Sequence, residues 1–224
     1  MRKALIVIGK NVSHDLAVRR SEGAFVIGAD QGAAFCLNEG IPMDLAVGDF
    51  DSVSEASHQE ILRAAKEVVT LPHHKDVTDT EQALTLCQDY EAVTILGGIA
   101  GDRIEHFIAI LCLLRRRPNT LFLEDDDAFC VALQNQSIVL QQEDFEYVSI
   151  FAMKKAVVSL DGFEYPLDHH SLLPGDPLGV SNEIVDKEGF VRVEEGILLL
   201  ICHKKKSDSI LNHSDLLSTI FSVR

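Results

Sequence analysis

Short apolar runs alternate with amphipathic stretches through the first half of the chain. Runs rich in Val, Ile and Leu predict buried strands at 4–8, 25–30, 44–49, 67–71, 92–98 and 120–125. Apolar residues recur every three or four positions in segments 54–66, 78–88 and 103–117, which predicts helices. Alternation of strands and helices indicates a parallel sheet with helices on its faces.

The pattern changes near residue 134. The segments SIVLQ, YVSIFAM, AVVSLDG, GFVRVEEG and ILLLICHK are short strands separated by turn residues, which predicts antiparallel pairing in a small sandwich or barrel. The predicted fold class is therefore α/β, with an N-terminal parallel-sheet domain over residues 1–133 and an all-β domain over residues 134–224.

Composition and charge narrow the class of partner. Of the 224 residues, 46% are hydrophobic and 25% are charged, as in ordinary globular proteins. The formal net charge of −15 argues against a nucleic-acid partner, because such partners are held largely through their phosphates. A small anionic ligand stays compatible with that charge, since a bound divalent metal inverts the local field. No apolar run approaches the roughly 20 residues that cross a bilayer, so no membrane partner is expected.

The cysteines and the N-terminus favour a cytoplasmic location. The five cysteines are scattered and form no CxxC pair, so the sequence predicts neither a zinc site nor a disulfide framework. The apolar run 4–8 is too short for the core of a signal peptide.

Two aspartates follow one of the predicted buried strands in the stretch LAVGDFDS. Asp49 and Asp51 are two positions apart, so in an extended segment their carboxylates face the same side. At about 4 Å two like charges repel by roughly 4 kcal/mol at an effective dielectric constant near 20. A shared proton, a cation or exposure to water would offset this repulsion.

A second acidic group stands in KDVTDTE (75–81). Thr78 and Glu81 have the spacing of a capping box, which predicts a helix start. Asp76 and Asp79 either stabilise the positive end of that helix or join the first two aspartates. Several carboxylates at one rim suit Mg²⁺, which binds through a few carboxylates and substrate phosphates.

Further short stretches allow a structural or a functional interpretation. Glycines in LGGIAGDRIEH (96–106) allow backbone N–H groups to approach a phosphate, with Arg103 adding charge, or simply form a tight connection. The stretch GVSNE (179–183) is typical of a turn. The acidic run 124–127 is expected to be a solvated turn, and the histidines at 73–74 and 169–170 are expected to be solvated loop residues.

Taken together and in order, these segments resemble the thiamine pyrophosphokinase family. They are ADQG (29–32), GDFDS (48–52), KDVTDTE (75–81), GDRIEH (101–106) and SNE (181–183). Gln31, Asp102, Glu105 and Val180 depart from the family's usual residues. The chain has no tryptophan, so stacking on an aromatic substrate falls to Phe, Tyr or His.

The resemblance implies a fold, a reaction and a set of residues. It implies a C-terminal β-sandwich and a homodimer with active sites at the subunit interface. The implied reaction transfers the diphosphoryl group of ATP to thiamine with Mg²⁺, giving thiamine diphosphate and AMP. The implied catalytic carboxylates are Asp49, Asp51, Asp79 and Asp76, of which the first three hold the metal. The implied nucleotide and phosphate ligands are Lys75, Thr78, Gly98, Gly101 and Arg103. The implied substrate ligands are Asp30, Ser181, Asn182, Glu105 and His106, where Asp30 alternatively caps the next helix.

Two other functions fit parts of the sequence. A phosphatase of the haloacid dehalogenase type would use Asp49 as its nucleophile, but no threonine stands two residues after Asp51. A non-catalytic nucleotide-sensing module would use the β half for assembly. AMP formation from ATP that depends on thiamine would exclude both alternatives.

Overall fold

The computed structural model describes residues 1–9, 11–51, 53–72, 76–101 and 103–206. The chain divides into two compact units, Met1–Leu113 with Leu123–Asp126, and Leu114–Phe122 with Asp127–Arg224. The predicted Lys75, Asp102, His73 and His74 lie outside the described residues.

The first unit is built on parallel strands. Its strands are β1 (Lys3–Val7), β2 (Ala24–Ala29), β3 (Leu45–Gly48), β4 (Glu67–Thr70), β5 (Ala92–Leu96) and the end of β6 (Leu121–Glu124). Its helices are α1 (His14–Ser21), α2 (Gln31–Asn38), α3 (Glu55–Ala64), α4 (Asp79–Thr85) and most of α5 (Ile104–Arg116). The strand order is β4-β3-β2-β1-β5-β6, and each pair from β4 to β5 is parallel.

Two of these helices carry too weak a pattern to be predicted from the sequence. Only Leu16 and Ala17 of α1 are buried, and the helix starts where the Ser13 hydroxyl accepts a hydrogen bond from the Leu16 N–H. A Cβ on Gly32 of α2 would lie 1.8 Å from the carbonyl oxygen of Val7. Glycine therefore lets α2 approach the end of β1 at a position where a side chain does not fit.

The strand order places a topological switch between β1 and β5. The chain proceeds from β1 outward through β2 and β3 to β4, then returns to form β5 on the other side of β1. Ligands of open parallel sheets bind beyond the carboxyl ends of the strands at such a point. The loops after β1, β2, β3 and β5 all lie at that edge.

The second unit contains antiparallel sheets. The strands are β7 (Ala128–Leu133), β8 (Ser137–Gln141), β9 (Phe145–Ala152), β10 (Ala156–Asp161), β11 (Leu167–Leu172), β12 (Glu188–Glu195) and β13 (Leu198–Lys204). Strand β13 pairs with β7 and β9, and a four-stranded sheet runs in the order β11-β10-β12-β8. Strand β7, which precedes the predicted boundary at residues 133/134, belongs to this unit. Strand β11 was not predicted, because LDHHSL is almost entirely polar and exposed.

The core of the first unit connects its helices to its central strands. A cluster of buried residues includes Leu5 and Val7 of β1, Val26 of β2, Phe50 after β3, and Ile61 of α3. This packing holds the loops at the carboxyl edge against the sheet. Among the described helices, none is both long and apolar enough to cross a membrane.

Candidate active site

Three aspartates meet at the carboxyl ends of β2 and β3. Asp30 follows β2, and Asp49 and Asp51 follow β3. One carboxylate oxygen from each residue lies within 4.8 Å of the others. The parallel register pairs Ala29 with Val47, so the residues after the two strands become neighbours. This donor set of hard oxygens fits a divalent cation such as Mg²⁺.

Asp30 is held in an unusual backbone conformation beside the other aspartates. Its φ of 48° and ψ of −114° correspond to the first central residue of a type II′ turn. Its N–H donates to the Val47 carbonyl at 2.8 Å, and its carbonyl accepts from the Ala33 N–H at 3.0 Å. The side chain makes no capping hydrogen bond to α2, so the capping alternative for Asp30 is wrong. Membership of Asp30 in the aspartate cluster was missed, because it depends on the strand register.

Close packing also requires a glycine next to Asp30. A Cβ on Gly48 would lie 3.2 Å from the backbone N and Cα of Asp30. Such a contact is tighter than most, so a side chain at Gly48 would push the two strand ends apart. The glycine of the GDFDS segment thus allows Asp49 to approach Asp30.

The second acidic segment forms the predicted helix start. The Thr78 hydroxyl accepts a hydrogen bond from the Glu81 N–H at 3.1 Å, which caps α4. Asp79 is the first residue of α4 and is partly buried, whereas Asp76 is exposed. The helix follows β4, so its first turn stands at the carboxyl edge of the sheet. Within the described part of the chain, Asp79 is not in the group whose ligand atoms all lie within 4.8 Å.

The glycine-rich loop after β5 lies beside the switch point. Gly97 and Gly98 both have a φ of 91°, a conformation that favours glycine. A Cβ on Gly98 would also lie 2.5 Å from the Ile8 side chain. Gly101 is exposed, and a Cβ there would meet nothing within 4 Å. The loop therefore approaches the end of β1 closely at Gly98 and is open at Gly101.

The charged residues at the start of α5 are exposed. Arg103 Nε donates to Glu105 Oε1 at 2.7 Å, and both side chains are more than half exposed. The hydrogen bond from Arg103 is the main cause that lowers the pKa of Glu105. His106 is exposed one position further on.

Glu124 and Asp125 of the acidic run 124–127 are buried, so the expectation that the run is solvated is wrong for these two residues, whereas Asp126 is exposed. Glu124 is 1% exposed and accepts two hydrogen bonds from Arg20, at 2.6 and 2.9 Å. Asp125 is fully buried and accepts a hydrogen bond from the Asn11 side chain at 3.0 Å. The Ser13 hydroxyl donates to Asp126 at 2.8 Å. These contacts fix the loop after β1 to the acidic turn.

Two of the predicted substrate ligands, Ser181 and Asn182, lie in the second unit. Asn182 is 2% exposed, and its side chain bonds the backbone of Tyr165, donating to the carbonyl at 2.9 Å and accepting from the N–H at 3.1 Å. Ser181 has a φ of 54°, and its N–H donates to the Ser149 hydroxyl at 2.9 Å. The Asn182 side chain thus holds the segment around Tyr165.

A cavity of about 230 Å³ lies beside Asn182. Its lining is mainly apolar and includes Tyr165, Leu167, Leu178 and Val180. Tyr165 is 69% exposed, so its ring is accessible to a ligand. Apart from the neighbouring SNE segment, no pattern in the sequence predicts this cavity.

The parallel sheet, the carboxylate cluster and the glycine-rich loop at the switch point are typical of enzymes that act on nucleotides with a divalent metal. Family models give the class its name: residues 19–122 match the catalytic domain of thiamin pyrophosphokinase, and residues 135–198 match its vitamin B1 binding domain. The chain belongs to the thiamin pyrophosphokinase family.

Individual relatives agree with this family. The thiamine pyrophosphokinase of Bacillus subtilis is 29% identical over 210 residues, covering 90% of this chain and 98% of the relative. A crystal structure of thiamine pyrophosphokinase from Bacillus subtilis superimposes with a TM-score of 0.81, covering 92% of this chain and 100% of that chain at 29% identity. The Geobacillus thermodenitrificans structure gives a TM-score of 0.77 at 25% identity, with coverage of 94% and 100%. The Candida albicans structure shares the fold at 14% identity, with a TM-score of 0.76 and coverage of 91% and 89%.

Membership in the family confirms the predicted fold class and the predicted enzyme, a thiamine diphosphokinase, which is a transferase of thiamine diphosphate biosynthesis. Neither the phosphatase nor the nucleotide-sensing module is supported by these comparisons.

Proposed function

We propose that Asp30, Asp49 and Asp51 hold the Mg²⁺ at which this chain transfers a diphosphoryl group from ATP to thiamine. The observation that carries the proposal is the approach of three carboxylate oxygens within 4.8 Å at the carboxyl edge of the sheet. Three like charges at this spacing repel one another, and a divalent cation offsets that repulsion. Asp79 stands at the same edge, at the first turn of α4, and Asp76 is a further carboxylate close by in sequence.

In this reaction the thiamine hydroxyl attacks the β-phosphorus of ATP. A bond forms between the hydroxyl oxygen and that phosphorus, the bond from phosphorus to the bridging α–β oxygen breaks, and AMP leaves with that oxygen. The hydroxyl proton passes to a site carboxylate. Bound Mg²⁺ supplies charge neutralisation for the phosphate oxygens, so the residues mainly position the reactants.

The nucleotide phosphates are proposed to bind at the glycine-rich loop. The N–H groups around Gly98 and Gly101 and the N-terminus of α5 are suited to bind anions. Arg103, Lys75 and Thr78 complete the proposed phosphate-binding set. Arg103 and its hydrogen-bond partner Glu105 are both exposed, so a phosphate can compete with Glu105 for the guanidinium group of Arg103.

Thiamine is proposed to bind in the cavity of the second unit. The chain has no tryptophan, but the exposed ring of Tyr165 is available to stack on thiamine. The Asn182 amide holds Tyr165 in place, and Ser181 presents a hydroxyl at the exposed turn. Glu105 and His106 are the remaining proposed substrate ligands.

The test is thiamine-dependent formation of AMP and thiamine diphosphate from ATP and Mg²⁺. Native chain is compared with Asp49→Asn and Asp51→Asn, and with Asp89→Asn as a matched control, because Asp89 is exposed and precedes β5 at the opposite edge of the sheet. The proposal predicts that both site variants lose at least a hundredfold in rate while the control retains native activity. Native activity in Asp49→Asn would refute the proposed metal centre.

We also propose a cytoplasmic homodimer in which thiamine held by one subunit meets the metal centre of its partner. A mixing experiment tests this arrangement with two inactive variants, Asp49→Asn and Tyr165→Ala. If sites form between subunits, the mixture regains up to about a quarter of native activity, because half of the dimers are then mixed and each mixed dimer has one of its two sites intact. The two variants are mixed while unfolded and are then refolded together. If the refolded mixture stays inactive, the arrangement is contradicted.

A further inference from the structure

Phe50 stands between the two aspartates of the loop after β3 and points into the protein. Its side chain is only 3% exposed and belongs to the core cluster of the first unit, while Asp49 is partly buried and Asp51 is exposed. Its φ is 56°, a left-handed conformation that is strained for a residue with a bulky side chain. The loop thus turns one apolar ring inward between two carboxylates.

The ring of Phe50 is stacked on His58 of α3. The ring centroids are 5.1 Å apart with an angle of 25° between the planes. The start of α3 is fixed by Ser54, whose hydroxyl accepts a hydrogen bond from the Ser57 N–H at 3.1 Å. His58 therefore approaches the loop from a capped and packed helix.

Two hydrogen bonds within the loop after β3 add little restraint. The Asp51 N–H donates to Asp49 Oδ1 at 3.4 Å, and the Val53 N–H donates to the Phe50 carbonyl at 3.3 Å. Both distances are long for N–H···O bonds. A left-handed residue persists only where its surroundings hold it, and the burial of the Phe50 ring against His58 is one such restraint.

We propose that the stack of Phe50 on His58 is a positioning device that sets the spacing of Asp49 and Asp51 for the divalent cation. This inference rests on the proposed metal centre and assigns two further positioning residues to it. Without the stack, the loop relaxes toward an ordinary backbone conformation and the mutually repelling carboxylates separate. Metal affinity falls as a result, although neither ring contacts the metal.

A ring that merely fills the core would affect stability without affecting the metal. Among the described residues, Nε2 of His58 is buried without a hydrogen-bond partner, so this nitrogen does not hold the ring, and the stack on Phe50 is the contact to be tested. His58→Phe keeps a stacking ring, whereas His58→Ala removes it. Ile61→Val is the matched control, because Ile61 is fully buried on the same helix but is not one of the stacked rings.

The experiment measures binding of Mn²⁺ alone to the full chain by electron paramagnetic resonance, with thermal unfolding in EDTA recorded in parallel. We expect the Kd of Mn²⁺ to rise about five- to tenfold in His58→Ala, the scale of one lost aromatic contact. We expect it to stay within about twofold of native in His58→Phe and Ile61→Val. If His58→Ala does not fold, Phe50→Leu, which keeps an apolar anchor without a ring, is expected to raise the Kd in the same direction.

A folded His58→Ala variant that binds Mn²⁺ with native affinity would overturn the inference and leave the metal centre intact. Failure of His58→Phe to restore affinity would also overturn it, because the ring would then not be the operative feature. If native chain and Asp49→Asn bind Mn²⁺ equally, the metal centre itself is refuted, and the inference with it.

Discussion

Removal of Arg20 should destabilise the protein strongly, because it leaves a buried carboxylate without its main counter-charge. Arg20 binds Glu124 through two hydrogen bonds of 2.6 and 2.9 Å, and the two side chains are only 15% and 2% exposed. Loss of one partner of such a buried pair costs about 3–5 kcal/mol. That is a large part of the roughly 5–15 kcal/mol by which folded proteins are stable.

The assay is urea unfolding of Arg20→Met followed by circular dichroism. With a slope of about 2 kcal/mol per M, the expected loss lowers the unfolding midpoint by about 2 M. Arg19→Met is the matched control, because Arg19 is the exposed neighbour on the same helix, and it should change stability by less than about 0.5 kcal/mol.

A double variant separates the ion pair from loss of packing. Arg20→Met with Glu124→Met removes both charges from the buried site, so it should cost clearly less than the sum of the single variants. A loss below about 1 kcal/mol in Arg20→Met would refute the reasoning, since Glu124 would then tolerate burial without Arg20.

Three further predictions concern stability and reactivity. Burial tends to raise the pKa of Asp44, but hydrogen bonds from Lys66 and a backbone N–H outweigh it and lower the pKa. The stabilisation that ionised Asp44 gives the folded state is therefore complete above the ordinary carboxyl pKa. It is lost as the pH falls through the lowered pKa of Asp44. Urea titrations between about pH 5 and pH 2 should show that the free energy of unfolding falls more steeply with pH for the native chain than for Asp44→Asn. Parallel dependences of the two free energies on pH would contradict this prediction. Thr78→Ala should cost about 1 kcal/mol by removing the cap of α4, with Thr78→Ser as control; an unchanged midpoint would argue against the cap. A maleimide reagent should modify the exposed Cys112 before Cys36, because burial raises the pKa of Cys36 to about 12; peptide mapping that finds Cys36 first would contradict the burial.

Local patterns were enough to predict most of the parallel sheet and two of the three clustered aspartates. Buried strands produce apolar runs, and the spacing of the GDFDS segment predicted that Asp49 and Asp51 lie close together, although Phe50 between them is left-handed and not extended. Asp30 was not placed with them, because its approach depends on the β2–β3 register and on Gly48 lacking a side chain.

The acidic turn shows a second limit of local patterns. Four acidic residues in sequence are usually solvated, but Glu124 is buried by an arginine that is 104 positions away. A pairing over that distance is set by tertiary structure and leaves no periodic signal near either residue.

The loops at the aspartate cluster are strained, which implies that stability is traded for a preformed site. Asp30 and Phe50 are both left-handed residues other than glycine, and such conformations cost about 1–3 kcal/mol each. Asp30 also faces two other carboxylates.

This trade predicts that Asp30→Gly stabilises the metal-free protein. The φ of 48° and ψ of −114° at residue 30 suit glycine, and the substitution removes one of the three repelling charges, against an entropic cost of about 0.5–1 kcal/mol for the added glycine. We expect a net gain of about 1 kcal/mol in urea unfolding with EDTA, together with weaker Mn²⁺ binding. Asp30→Asn, which keeps the strained backbone and removes only the charge, should gain less. If the metal-free Asp30→Gly variant is less stable than the native chain, Asp30 stabilises the fold. The metal site then does not explain its strained backbone conformation.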